Sequence, residues 1–287
     1  MSTEQLSLGP LQMTAMTDEA LLDAFSLWDA PHVAAALIGG DTVAVIGETH
    51  RVFELKSVTK LLSTYAFLVA VEEGVFELDT IIRGDATVEH LLSHAGGVGF
   101  AKGDPERAPE ERRVYSSYGF ELLAGYLEKE TGMAFGDYAK EAVFAPLGMA
   151  DTFIYGSPGH EGRSTVSDLT RFATEILNPV LLAEATVADA FRVRFPELKG
   201  IVPGYGSFNP CPWGLGFEIK GEKEQHWTGR NLPADVGGHF GVAGTYLWVH
   251  RPTQRAMVAL GDKDFGPWAK PVWEKINDAA WAYLESC

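Results

Sequence analysis

The stretch FELKSVTKLLSTYAFLVAVEEG, from Phe53 to Gly74, sets Lys60 into an apolar run three positions after Ser57. Apolar residues recur at Val58, Leu61, Leu62, Tyr65, Ala66, Leu68 and Val69, a spacing that predicts a mostly buried helix with little polar face. A lysine inside such a helix must find a partner or lose its proton. Lys60 stands one helical turn from Ser57, on the same face. A serine hydroxyl becomes a useful nucleophile when a base takes its proton, and a lysine serves as that base once desolvation or a nearby cation lowers its pKa. The start of the helix adds a positive field that favours negative charge at Ser57. Taken alone, the tetrapeptide also reads as a capping serine followed by a lysine whose stem is buried and whose head reaches water.

The elements that must position this pair are those of a globular protein. With 287 residues, 46 % apolar and 11 % aromatic, the chain can bury a sizeable core in one large domain or two joined ones. It carries 23 basic against 39 acidic residues, net −16, which argues against nucleic acid and anionic membrane surfaces as partners. No Lys or Arg precedes Arg51 and no apolar run approaches a membrane span, so a cytoplasmic protein is expected. Cys211 and Cys287 lie far apart without metal-ligand spacing; they read as one loop thiol and one tail thiol, with no disulfide framework and no metal site.

Residues 1–16 are polar and without a period, a loose arm. TDEALLDAFSLWDA then predicts a helix capped at Thr17 or Asp18, and HVAAALIGGDTVAVIGE a hairpin around Gly39-Gly40-Asp41. RVFEL reads as a third strand entering the Ser57 helix. Between 80 and 204 helical segments alternate with Gly/Pro loops, and strand patterns return in WGLGFEIK and in HFGVAGTYLWVHRPTQRAMVALGD, which turns at Arg251-Pro252-Thr253-Gln254. A helix over PWAKPVWEKINDAAWAYLES closes the chain. The fold class expected is α/β (α+β): an antiparallel sheet built from both termini (17–79 and 205–287), flanked by the terminal helices, with an inserted all-helical lobe at 80–204. Ser57 falls at the junction, where ligand sites favour the crevice between lobes.

Further motifs follow in order along the chain, Tyr115-Ser116-Ser117 and His239-Phe240-Gly241, with LLSHAGGVGF, FAPLGMADTFI, STVSDLTRFA and WGLGFEI between and around them. Together with Ser57-Val58-Thr59-Lys60 they resemble the serine β-lactamase-like family, in particular the branch of class C β-lactamases, D-amino-acid-specific peptidases and carboxylesterases with the penicillin-binding-protein fold, over about residues 17–285. The resemblance implies that Ser57 is the acylated nucleophile, Lys60 its activator, and Tyr115 the group that shuttles a proton to the leaving group. For a phenol this role requires a depressed pKa, which a neighbouring Lys60 cation is expected to supply. It implies an oxyanion hole from the backbone amides of Ser57 and Val242, and neither metal nor organic cofactor. Ser117, His239, Phe240, Gly241 and Trp213 are the implied substrate-binding residues, and Gly237, Gly238 and Gly241 suit a strand edge that a substrate approaches closely.

Two positions depart from the family pattern. Ser117 stands where relatives have an asparagine that orients an amide, and a hydroxyl lacks the amide's paired donor and acceptor. It also reads as the cap of the helix that follows, which would commit its oxygen to backbone amides. His239 stands where lactamases have a lysine for the substrate carboxylate, and an imidazole near neutral pH is only partly charged. H-x-G resembles the peptidase and esterase members more than the lactamases.

Bland assignments cover the rest. His90 and His94 have an i, i+4 metal spacing but no third ligand, and His94 is expected to brace the floor of the site. His160, His226 and His250 are expected at the surface or in loops, Trp227 and Trp248 in the core, and the charged run 102–113 in a solvated loop at the rim of the cleft. The function expected is a serine hydrolase working through an acyl-enzyme on Ser57, a carboxylesterase on small or medium acyl esters, with a small-molecule ester or amide as its partner. The alternatives are a β-lactamase or D-stereospecific peptidase or amidase, and a silent ligand-binding homologue.

Overall fold

The computed structural model describes residues 12–286, so residues 1–11 of the expected arm and the tail thiol Cys287 lie outside the described residues. At the centre is a sheet built from both ends of the chain: β1 (Met13–Ala15), β2 (Val33–Gly39) and β3 (Thr42–Ile46) from one, β4 (Glu218–Ile219), β5 (Gly237–Gly241), β6 (Thr245–His250) and β7 (Arg255–Gly261) from the other. Their order is β1-β3-β2-β7-β6-β5-β4. All pairs are antiparallel except the first, where Met13–Ala15 runs parallel to β3; that piece of the expected arm is an edge strand.

The central strands read as continuous apolar runs because both faces of the sheet are covered. Ala34, Ala36, Ile38, Leu247, Val249, Val258 and Leu260 point into one core, whereas Ala35, Leu37, Tyr246, Trp248, Met257 and Ala259 point into the other. The second core is closed by the terminal helices α1 (Glu19–Ser26) and α5 (Ala269–Ser286), which bring in Trp28, Trp273 and Trp281. Asp18 caps α1 by accepting from the Leu21 amide at 2.9 Å. The first core holds α2 (Thr59–Glu72), α3 (Ser117–Thr131) and α4 (Val166–Leu177). Trp227 and Trp248 are both fully buried.

Segment 80–204 is not the all-helical lobe expected: helices cover less than half of it, and short strands stitch its loops. Phe53–Glu54, the expected third strand, leaves the main sheet and pairs with Gly162–Ser164, which also pairs with Phe153–Ile154. Helix α4 belongs to this segment by sequence, yet its apolar face lies on β7 and β2. Among the described residues no helix is long and apolar enough to cross a membrane.

The charged loop 102–113 ends differently from the solvated run expected. Arg113 is 3 % exposed, and its guanidinium donates to the carbonyls of Ser93 (2.6 Å), Cys211 (2.6 Å), Arg194 (2.8 Å) and Phe195 (3.1 Å). Burial pulls its pKa down to about 10, still charged at neutral pH. One side chain thus ties the loop to three other segments. We expect Arg113→Met to strand the Ser93, Cys211 and Arg194 carbonyls without a donor, costing about 3 kcal/mol or more and lowering the thermal midpoint by roughly 5–10 °C. Calorimetry of the variant checks this, and an unchanged midpoint would show that the cation holds nothing together.

Candidate active site

Ser57 sits in a 3₁₀ turn, Lys56–Val58, that runs directly into α2. Lys56, just before it, has φ +48°, a conformation that costs a non-glycine residue about 1–3 kcal/mol. The turn is held from behind: the Leu55 carbonyl accepts from Thr245 Oγ1 at 2.9 Å, and a Cβ on Gly241 would come within 2.2 Å of that same oxygen. Gly241 does not line the substrate cavity, as the resemblance implies; it lets β5 press against the nucleophile turn. Gly237 and Gly238 likewise meet Phe191 and β6 rather than open space.

Helix α2 buries four polar residues near its start, Thr59, Lys60, Ser63 and Thr64. Three of them are served by one loop. Thr59 Oγ1 accepts from the Gly162 amide (3.0 Å), Lys60 Nζ donates to the Gly159 carbonyl (2.8 Å), and Ser63 Oγ donates to the Pro158 carbonyl (2.7 Å). Lys60 Nζ also donates to Ser117 Oγ at 3.0 Å. Burial pulls the lysine down to about 7, against a weaker opposite pull from Glu121. Near neutral pH Lys60 is therefore a mixture of amine and ammonium.

Tyr115 donates from its hydroxyl to Ser57 Oγ at 2.7 Å. The depressed phenol pKa expected from Lys60 is not found. Lys60 Nζ lies over the ring, 4.6 Å from its centroid, instead of beside the oxygen, and burial pushes the phenol well above its ordinary value. Tyr115 is a protonated donor, while Lys60 is partly unprotonated near neutral pH.

Ser116, not Ser117, caps α3: its Oγ accepts from the Gly119 amide at 2.8 Å and donates to the Gly99 carbonyl at 2.6 Å. Ser117 is thereby free to meet Lys60. His94 packs against Tyr115 and Trp213, with centroids 4.8 and 4.9 Å away, and its Nδ1 accepts from the Ser116 amide at 3.1 Å.

His239 is neutral, not partly charged. Burial lowers it to about 4, helped by Lys60. Its Nδ1 is 2.7 Å from the Phe240 carbonyl, which can only accept, so the proton resides on Nδ1. Nε2 keeps a lone pair and has no partner among the described residues. A carboxylate has nothing to gain there.

These groups meet at a cavity of about 360 Å³, lined by Ser57, Tyr115, Ser117, Trp213, His239, Phe240 and Val242. Lys60 stands behind its wall. Lys56, His160 and Glu218 also line it and escaped the sequence reading. Glu218 is buried, and His226, expected at the surface, is buried beside it. The carboxylate accepts from Lys223 (2.9 Å) and Trp227 (2.7 Å) and lies 2.7 Å from His226 Nε2. Burial raises its pKa, but Lys223 and His226 outweigh that and hold it well below the usual range. His250 is buried too, between Asp235 and Thr253. An alternation of polar and apolar residues in WGLGFEIK carries no sign of such a carboxylate cage; its partners come from the loop that follows, five to nine residues on.

Comparison with known proteins places the chain. The family model described as Beta-lactamase matches residues 26–280. The chain belongs to the Beta-lactamase family. It is a serine hydrolase of the β-lactamase and penicillin-binding-protein superfamily. A β-lactamase from Mycobacterium bovis is 44 % identical, with a TM-score of 0.89 over 92 % of this chain and 99 % of that one. A simvastatin synthase variant from Aspergillus terreus shares the fold at 15 % identity, TM-score 0.75, over 93 % and 94 % of the two chains. Penicillin-binding protein 4* of Bacillus subtilis is 28 % identical across 38 % of this chain, a match that spans only 32 % of that relative's own length.

The position of Lys60 sets a pH dependence for this β-lactamase-family site. If the neutral amine is the working form, kcat/KM rises with pH through about 7 and levels above it. Lys60→Arg, which cannot lose its proton, should abolish both the activity and the inflection. A pH–rate profile of any hydrolysed substrate that is flat from about pH 6 to 8 would remove Lys60 from the proton path.

Proposed function

We propose that the protein is a carboxylesterase that cleaves small or medium acyl esters through an acyl-enzyme on Ser57. The observation that carries this reading is the Ser57–Tyr115 hydrogen bond of 2.7 Å set beside a desolvated lysine. In this mechanism Ser57 Oγ attacks the ester carbonyl and its proton passes into the Lys60–Tyr115 couple. The leaving alkoxide takes that proton and departs as the alcohol. Water then enters, gives its proton to the same couple and bonds to the acyl carbon; the acyl–Oγ bond breaks, the acid leaves, and Ser57 Oγ takes the proton back. Which of the two groups holds the proton at each instant belongs to the pair and not to either residue. The amides of Ser57 and Val242 are the oxyanion donors in this reading, both residues standing on the cavity wall.

Two features favour an ester over a β-lactam. The neutral His239 offers no cation for a lactam carboxylate, and the Ser117 hydroxyl is engaged by Lys60 instead of being held out to orient an amide. A β-lactamase is the second reading, favoured by the 44 % identity to the Mycobacterium bovis protein that bears that name.

Initial rates on p-nitrophenyl butyrate and on a chromogenic cephalosporin separate them. We expect the ester to turn over and the cephalosporin to be nearly inert. Ser57→Ala should lose at least about 10³-fold and Tyr115→Phe about 10²-fold on the ester. Full ester turnover by Ser57→Ala sinks the acyl-enzyme; cephalosporin rates matching those on the ester promote the second reading.

A further inference from the structure

Beside the Ser57 cavity lies another of about 320 Å³, and the two share Phe100, Tyr115 and Pro203. Phe100 and Ile201 on this second cavity are 52 % and 51 % exposed, an apolar strip left open to water next to the site. Arg112 lines the same cavity.

The backbone fixes where Arg112 goes. Arg113 bridges to Gly200, its amide donates to the Lys199 carbonyl at 2.8 Å, and the Val114 amide donates to the His94 carbonyl at 2.9 Å. Because Arg113 turns inward to its four carbonyls, the neighbouring Arg112 and Val114 turn outward, onto the cavity with Ile201.

The charges around it are already matched. Glu106 pairs with Arg83, Glu110 with His90 and Glu111 with Arg107, while Asp104 accepts from the Ala101 amide. Arg112 has no ion pair or hydrogen bond among the described residues. An unpaired guanidinium beside an apolar strip, one cavity away from a nucleophile, has the makings of a two-part recognition surface. The net charge of −16 repels free anions at long range, so an anion is retained there only if an apolar arm holds it as well.

We propose that this second cavity is a substrate subsite for a carboxylate carried at the far end of an apolar acyl chain, with Arg112 as its partner and Phe100 and Ile201 as the bridge from the scissile ester. The proposal rests on ester hydrolysis at Ser57. A guanidinium meets a carboxylate through two parallel N–H donors, which gives direction as well as attraction.

The test compares p-nitrophenyl hydrogen suberate with its neutral analogue, p-nitrophenyl methyl suberate, and reads the ratio of their kcat/KM values so that any general loss of activity cancels. Wild type should favour the acid by about tenfold at low ionic strength, less as salt is added. Arg112→Gln should bring the ratio to near one, and Arg112→Lys should keep part of the preference. No preference in wild type, or an unchanged one in Arg112→Gln, overturns the proposal. So does a preference lost in Lys56→Gln and kept in Arg112→Gln, which would put the anion at the other cavity. If wild type cleaves neither ester, the carboxylesterase reading fails separately. Calorimetry of monomethyl suberate with Ser57→Ala then decides the subsite: weaker binding in Ser57→Ala/Arg112→Gln upholds it, and equal or no binding rejects it.

Discussion

The site depends on keeping the amino group of Lys60 out of water. An ammonium in a dry interior is costly, and the cost appears as a proton held loosely enough to be lost near pH 7. That state requires a helix too apolar to let the side chain snorkel, which is why α2 is packed on nearly every side by leucine, valine and phenylalanine. It also requires that the amine be oriented, and the loop carrying Pro158, Gly159 and Gly162 does this while serving Thr59 and Ser63 on the same helix face. A Cβ on Gly159 would stand 2.8 Å from that of Ser117, so the loop can reach Lys60 only without a side chain there. Thr59, Lys60 and Ser63 are thus one seam on α2, held by a single loop.

The second constraint is the contact of β5 with the Ser57 turn. Gly241 lies opposite Thr245 in the sheet, and both meet the Leu55 carbonyl. Through them the register of β5 with β6 fixes Leu55, and Leu55 fixes the strained Lys56 and hence Ser57. The sheet over-determines this backbone, which is the condition for strain of that size to persist. It also brings Val242, the residue after Gly241, to the same cavity as Ser57.

What the sequence made legible was local. Spacing announced the buried helix that carries Lys60, and alternation with turn chemistry announced a sheet drawn from both termini. What it hid was the choice between neighbours and between ends of a side chain. Ser116 and Ser117 are the same residue type, and only the path into α3 decides that the first caps and the second meets Lys60. Arg112 and Arg113 are separated in the same way by a single bridge to Gly200. The behaviour of Tyr115 turned on whether Lys60 lies at its oxygen or over its ring, a matter of a few ångströms that no spacing encodes. His226 was hidden because it lies in the loop after β4, and only the fold of that loop returns it to Glu218, eight residues back.

These details combine into a statement about charge. At neutral pH His239 is uncharged, Tyr115 is protonated, Lys60 is near its midpoint, and the Glu218 carboxylate is matched by Lys223. At the His239 position the wall therefore offers a neutral ring and no cation, and the lysine of the cavity rim, Lys56, stands at the Ser57 turn instead. A substrate bearing a carboxylate close to its scissile bond would have to desolvate that charge against a lone pair on His239 Nε2, an unfavourable exchange. One that is neutral near the reacting bond avoids the cost, and any charge it carries must lie far enough away to remain outside this wall. Burial at His239 thus acts through a missing proton: by holding the ring neutral it leaves that position without a charge to offer an anion.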